Sequence, residues 1–118
     1  MDAMPIDFSQ ELSAWSSQLK VSKKTLSFLE TRLLEMPLGG TAVGTGINAH
    51  PRFAKVFAKE LSKLSGGSFK VVPSENFFHE LSAQDTAVQV SGELKNLAVI
   101  LMKISNDLRW MNLSLIHI

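Results

Sequence analysis

The residues best able to do chemistry lie in one tract, Leu38-Gly-Gly-Thr-Ala-Val-Gly-Thr-Gly-Ile-Asn-Ala-His-Pro51. Glycines at positions 39, 40, 44 and 46 allow the backbone to turn sharply and let other groups approach closely. Backbone amides there, with the hydroxyls of Thr41 and Thr45, can shape an anion-binding pocket. Gly44-Thr-Gly46-Ile-Asn-Ala49 also matches the dinucleotide-binding fingerprint, but that motif follows a strand, whereas a helical pattern precedes it here. A phosphate-binding P-loop is excluded, because no Lys-Ser or Lys-Thr pair follows the glycines. The plainer alternative is a close-packed connection between helices. Of the three histidines, His50 precedes Pro51 and suits capping or packing, His79 suits a partly exposed helix face, and His117 lies near the C-terminus. Their spacing fits no zinc or other metal signature.

Two long helical patterns and a short one must position this tract. Leu12, Trp15, Leu19, Ser22, Leu26, Leu29, Leu33 and Met36 alternate spacings of three and four, a heptad register whose one small polar member is Ser22. This predicts one helix to Met36, stopped by Pro37 and Gly39-Gly40. A second helix is expected from Pro51, with Phe53, Val56, Phe57, Leu61 and Leu64 as its buried stripe, ending at Gly66-Gly67. Residues 68–74 form a connector in which Pro73 forbids a regular continuation. A third helix is expected from about Glu75 to Asn112, with Leu94, Leu97, Leu101, Ile104, Leu108 and Met111 repeating the spacing. Gly92 is the weak helix former inside it, at about 1 kcal/mol against alanine. Trp15 and Trp110 fall on or beside these stripes and suit packing.

The fold class expected is therefore all-α, with long antiparallel helices. At 118 residues the chain holds at most one domain. Its 45% hydrophobic and 19% charged residues are ordinary for a globular protein. A net charge of +1, with both signs interleaved, argues against nucleic acid as a partner. The absence of cysteine excludes disulfides and thiol chemistry. No apolar run approaches the roughly 20 residues of a membrane span. So many apolar stripes in so short a chain require cover from other chains or segments. The opening Met1-Asp-Ala-Met-Pro5 reads as a turn with no element before it. Residues 113–118 abandon the heptad pattern and read as a non-native tail, leaving residues 1–112 as the folded part.

Four blocks in order carry a resemblance to a known family. The glycine tract through Arg52-Phe53 resembles the matching segment of class II fumarate hydratases, in the fumarase/aspartase superfamily. Asp2-Ala-Met-Pro5 resembles the residues that follow that family's Thr-His signature. Asn76-Phe-Phe-His-Glu-Leu-Ser-Ala-Gln-Asp85 resembles the opening of its next long helix, and Leu101-Met-Lys-Ile-Ser-Asn-Asp-Leu-Arg-Trp110 that helix's end. Ala49-His50-Pro51 resembles fumarases, whereas Ser82-Ala-Gln-Asp-Thr86 is similar to aspartases. An aspartate ammonia-lyase, or another lyase of the superfamily, is therefore the alternative. A stand-alone helical interaction module is the reading that the stripes suggest by themselves.

The resemblance implies a segment of the central helical bundle of a cytoplasmic homotetramer, with no metal or organic cofactor. The reaction implied is reversible trans hydration of fumarate to (S)-malate, a step of the tricarboxylic acid cycle. It also implies that the family's catalytic histidine and serine loop lie outside this chain, so no catalytic residue is assigned and the chain alone is expected to be inactive. Substrate-proximal candidates are Thr41, Thr45, Asn48 and Asn76. The last stands where related lyases place a substrate-side amide, and an N-cap is its simpler role. Asp85 is expected to pair with Arg109 or Lys103 within the bundle.

Overall fold

A computed structural model describes residues 3–116, with the side chains of 114–116 left aside; His117 lies outside the described residues. The element order is α1 (Phe8–Leu33), β1 (Glu35–Met36), α2 (Phe53–Leu64), β2 (Val72–Pro73), α3 (Phe77–Ser82) and α4 (Asp85–Ile116). The expected all-α architecture holds, with two two-residue strands as the exception. At 1.5 Å per residue, the 26 residues of α1 and the 32 of α4 extend about 39 and 48 Å. The chain divides into two compact units, one formed by the stretch to Ser27 with the stretch from Val90 onward, the other by Phe28–Gln89.

In the first unit, α1 and α4 run antiparallel. Ser22 Oγ donates to Glu93 Oε1 at 2.6 Å, and Lys103 Nζ reaches Glu11 Oε1 at 3.4 Å. Trp15 is buried between these ties, its Nε1 donating to Glu11 Oε1 at 2.9 Å and its ring lying 5.9 Å from Lys103 Nζ. Lys103 also pairs with Asp107 at 2.6 Å, and this hydrogen bond raises the lysine pKa above its ordinary value. The stripes are only half covered. Trp15, Ser22 and Leu29, one per heptad, are buried on α1. Of the alternate positions, Leu26 is half-buried, whereas Leu12, Leu19 and Leu33 remain 44%, 37% and 49% exposed. On α4 the half-buried line is Val90, Glu93, Leu97, Ile100, Ile104, Asp107 and Met111. Leu94, Leu101 and Leu108 face outward. Trp110 does too, at 67% exposed.

In the second unit, α1 ends three residues before Met36, earlier than the heptad register predicts. Pro37 disfavours the helical conformation for the residue before it. Strand β1 forms instead, pairing in parallel with β2 in the register Glu35↔Val72 and Met36↔Pro73. Val72 N donates to Leu34 O at 3.0 Å and Ser74 N to Met36 O at 2.9 Å. Helix α2 packs against β2 and the residue before it through buried Ala58 and Val71. Ser62 locks the contact: its hydroxyl donates to Ala58 O at 2.7 Å and accepts from Val71 N at 2.9 Å.

The third helical pattern is not one helix. Ala83 adopts an extended conformation (φ −123°, ψ 155°) and separates α3 from α4. Asn76 caps α3 by accepting from His79 N at 3.1 Å. The corner is held by His79, whose Nε2 lies 3.0 Å from Asp85 Oδ1 and whose Nδ1 lies 3.5 Å from Glu80 Oε1. Arg32 approaches the same Glu80 oxygen at 3.9 Å. The expected partners of Asp85 are thus replaced. Among the described residues Lys103 pairs with Glu11 and Asp107 instead.

The His79 hydrogen bond holds the Asp85 carboxyl below its ordinary value. A depressed folded-state pKa contributes stability above the unfolded value, about 3.9, that is lost as pH falls through the folded one. Asp85→Asn should therefore lower the melting temperature slightly at neutral pH, and the gap should close below about pH 3. A thermal melt series against pH checks this, and a gap that persists in acid would remove the pair from the corner's stability.

Candidate functional site

Residues 37–53 fold as consecutive turns rather than a flexible loop. Gly40 N donates to Pro37 O, Gly44 N and Gly46 N both donate to Gly40 O, and Ala49 N donates to Gly46 O, at 2.9–3.1 Å. These amides are therefore satisfied within the tract. The expected cradle of free backbone N–H groups is not formed by them, because the turns that the glycines permit use the same donors. The glycines instead serve close approach. A Cβ on Gly40 would lie 2.9 Å from Phe77 Cβ, and one on Gly44 would lie 2.8 Å from the Phe78 ring and 3.0 Å from Phe78 N. Helix α3 thus rests directly on the tract backbone.

What remains open is a cavity of about 300 Å³, lined by Gly39, Thr45, Gly46, Ala49, His50, Pro51, Ala54 and Phe77. Two polar side chains belong to it, Thr45 and His50. His50 Nδ1 accepts from Arg52 N at 3.2 Å. In the neutral ring this leaves the proton on Nε2, which then acts as a donor. A hydroxyl and an imidazole N–H beside apolar walls can hold one carboxylate or carbonyl oxygen. His50 is the lining residue that the sequence undervalues: its neighbour Pro51 marks it as a helix-start residue, and nothing in the local pattern shows that it shares a cavity with Thr45, both being exposed.

Of the four candidates, Thr45 alone lines this cavity. Thr41 and Asn48 are exposed and hold left-handed backbone at φ +56° and +63°. For asparagine this is a familiar conformation, whereas a β-branched threonine there costs about 1–2 kcal/mol. Asn76 is exposed and engaged as the cap of α3. Among the described residues no group of three or more His, Asp or Glu is placed to hold a metal ion, and no helix is long and apolar enough to cross a membrane.

Residues 1–115 match the model of a protein family described as lyase. The chain is 52% identical over 112 residues to fumarate hydratase class II 2 of Pseudomonas aeruginosa, covering 95% of this chain and 24% of that protein. It is 47% identical over 111 residues to fumarate hydratase class II of Thermus thermophilus, covering 94% of this chain and 23% of that one. Among solved structures it is similar to class II fumarase from Schistosoma mansoni, with TM-score 0.83 and 31% identity over 91% of this chain and 25% of that chain. A second similar structure is a fumarate lyase:delta crystallin from Brucella melitensis bound to cobalt, with TM-score 0.81 and 37% identity over 92% of this chain and 23% of that chain. The chain thus spans about a quarter of the length of the relatives it matches.

Proposed function

The chain belongs to the lyase family, and from that premise we propose that it is a stretch of the helical core of a class II fumarate hydratase. The observation that carries this reading is identity near 50% across nearly the whole chain to relatives named for that activity. In the proposed reaction water adds in trans across fumarate to give (S)-malate. The reverse step removes a proton from the carbon beside a carboxylate, and the charge spreads into that carboxylate. Donors placed around it before reaction supply a large part of such catalysis. The Thr45 hydroxyl and the His50 Nε2 proton are the donors that this chain would bring. The groups that move protons come from parts of the subunit beyond it.

The half-covered stripes of α1 and α4 support assembly into a homotetramer in which neighbouring helices cover the outward leucines, and the cytoplasm is the compartment proposed. The subunit that contains this stretch should hydrate fumarate with water alone. Loss of fumarate absorbance in buffer, with malate as product, checks this; consumption only when ammonia is supplied would replace the hydratase by an ammonia-lyase. The 118-residue chain by itself should give no turnover above background in the same assay.

A further inference from the structure

A second concavity, of about 560 Å³, lies between α2 and the strand β2, away from the glycine tract. Its floor is apolar: Ala58 and Val71, each 3% exposed, with Val72 and Pro73. Its rim is basic, formed by Lys55, Lys59 and Lys63 on the helix and Lys70 on the facing segment. No carboxylate lines it, although the chain as a whole carries a net charge of only +1. The three helix lysines stand at i, i+4 and i+8, a ridge about 12 Å long on one face. Like charges at that spacing repel. Lys63 is relieved by Glu60 at 2.6 Å, whereas Lys55, Lys59 and Lys70 make no ion pair among the described residues.

We infer that this groove docks an acidic amphipathic helix of a partner protein, with carboxylates four residues apart along the lysine ridge and apolar residues on the Ala58–Val71–Pro73 floor. Two observations select this occupant. The ridge repeats with the period of a helix, so a second helix laid beside it presents matching charges at each turn. The floor rewards apolar side chains, which a nucleic acid backbone does not offer. Strand addition is not the mode, because Val71 N, Val72 N and Ser74 N are already bonded to Ser62 Oγ, Leu34 O and Met36 O. The groove is independent of the hydratase reading: it uses no residue of the Thr45–His50 cavity.

The test uses a labelled synthetic helix of about four turns with Glu at every fourth position along one face and Leu along the adjacent face, added to the whole lyase subunit that carries this stretch. Fluorescence anisotropy at low salt should show saturable binding. A scrambled peptide of the same composition should bind about tenfold more weakly. The triple variant Lys55→Glu, Lys59→Glu, Lys70→Glu should lose about tenfold, and a peptide with Lys in place of Glu should recover binding to that variant. All three lysines are exposed, so the fold tolerates the change; a matched Lys→Gln triple separates lost attraction from introduced repulsion and should lose binding by a smaller factor. Equal affinity for ordered and scrambled peptides, indifference to the lysine variants, absence of saturable binding to the whole subunit, or tighter binding of a single-stranded RNA would each overturn the inference.

Discussion

Replacing Gly44 by alanine should destabilise the Phe28–Gln89 unit by about 3 kcal/mol. Gly44 is buried with φ +106°, and its added Cβ would meet the Phe78 ring at 2.8 Å and Phe78 N at 3.0 Å. The backbone conformation contributes about 1–2 kcal/mol of this. Forcing Phe78 aside contributes about 1–3 kcal/mol more, because backbone as well as ring must shift. Gly92 provides the contrast. It lies inside α4 with nothing within 4 Å of its would-be Cβ. Gly92→Ala should therefore stabilise by about 0.5–1 kcal/mol through helix propensity. Urea unfolding of both variants in the intact subunit reads the two signs directly. A neutral Gly44→Ala would mean that α3 does not rest on the tract as described.

The second large effect concerns association. By itself the chain should sediment well above its 13.0 kDa monomer mass, because Leu12, Leu19, Leu94, Leu101 and Leu108 present half-exposed apolar seams along the helix pair. Each leucine buried against another surface contributes about 1.5–3 kcal/mol when covered fully. Even partial cover of several then exceeds the cost of bringing two chains together. Changing these five to glutamine should return most of the material to monomer in sedimentation velocity. A clean monomer with a sharp, cooperative melt before any substitution would show that the seams need no cover.

The long helices were legible because spacing alone specifies them. The three-four alternation from Leu12 to Leu33 and from Leu94 to Met111 survives as α1 and α4. Burial, in contrast, was legible only by halves: a stripe shows that a face is apolar, not which of its two edges meets the neighbour. The helix ends, too, are not set by spacing. Met36 continues the heptad register, but Pro37 disfavours helix at that position and the pairing with Pro73, 37 positions away, draws it into a strand. The break at Ala83 carries no proline or glycine, and is held by side-chain bonds from His79 and Ser82 that no local pattern announces. In the site, glycine content showed that something approaches closely; that the visitors are Phe77 and Phe78, and that Thr45 shares its cavity with His50, depends on the turn of α3 back over the tract.

Two heptad stripes can slide past each other by seven residues and still match leucine to leucine, so hydrophobic contact leaves the axial offset undecided. The Ser22–Glu93 hydrogen bond is not periodic in this way. Shifted by seven residues, the Glu93 carboxylate would lie against buried Trp15 or Leu29 in place of the Ser22 hydroxyl, and a charged group resists apolar surroundings of that kind. The Ser22 hydroxyl, with the Lys103–Glu11 pair further along, thereby acts as an index mark that gives two otherwise repetitive rods one permitted phase.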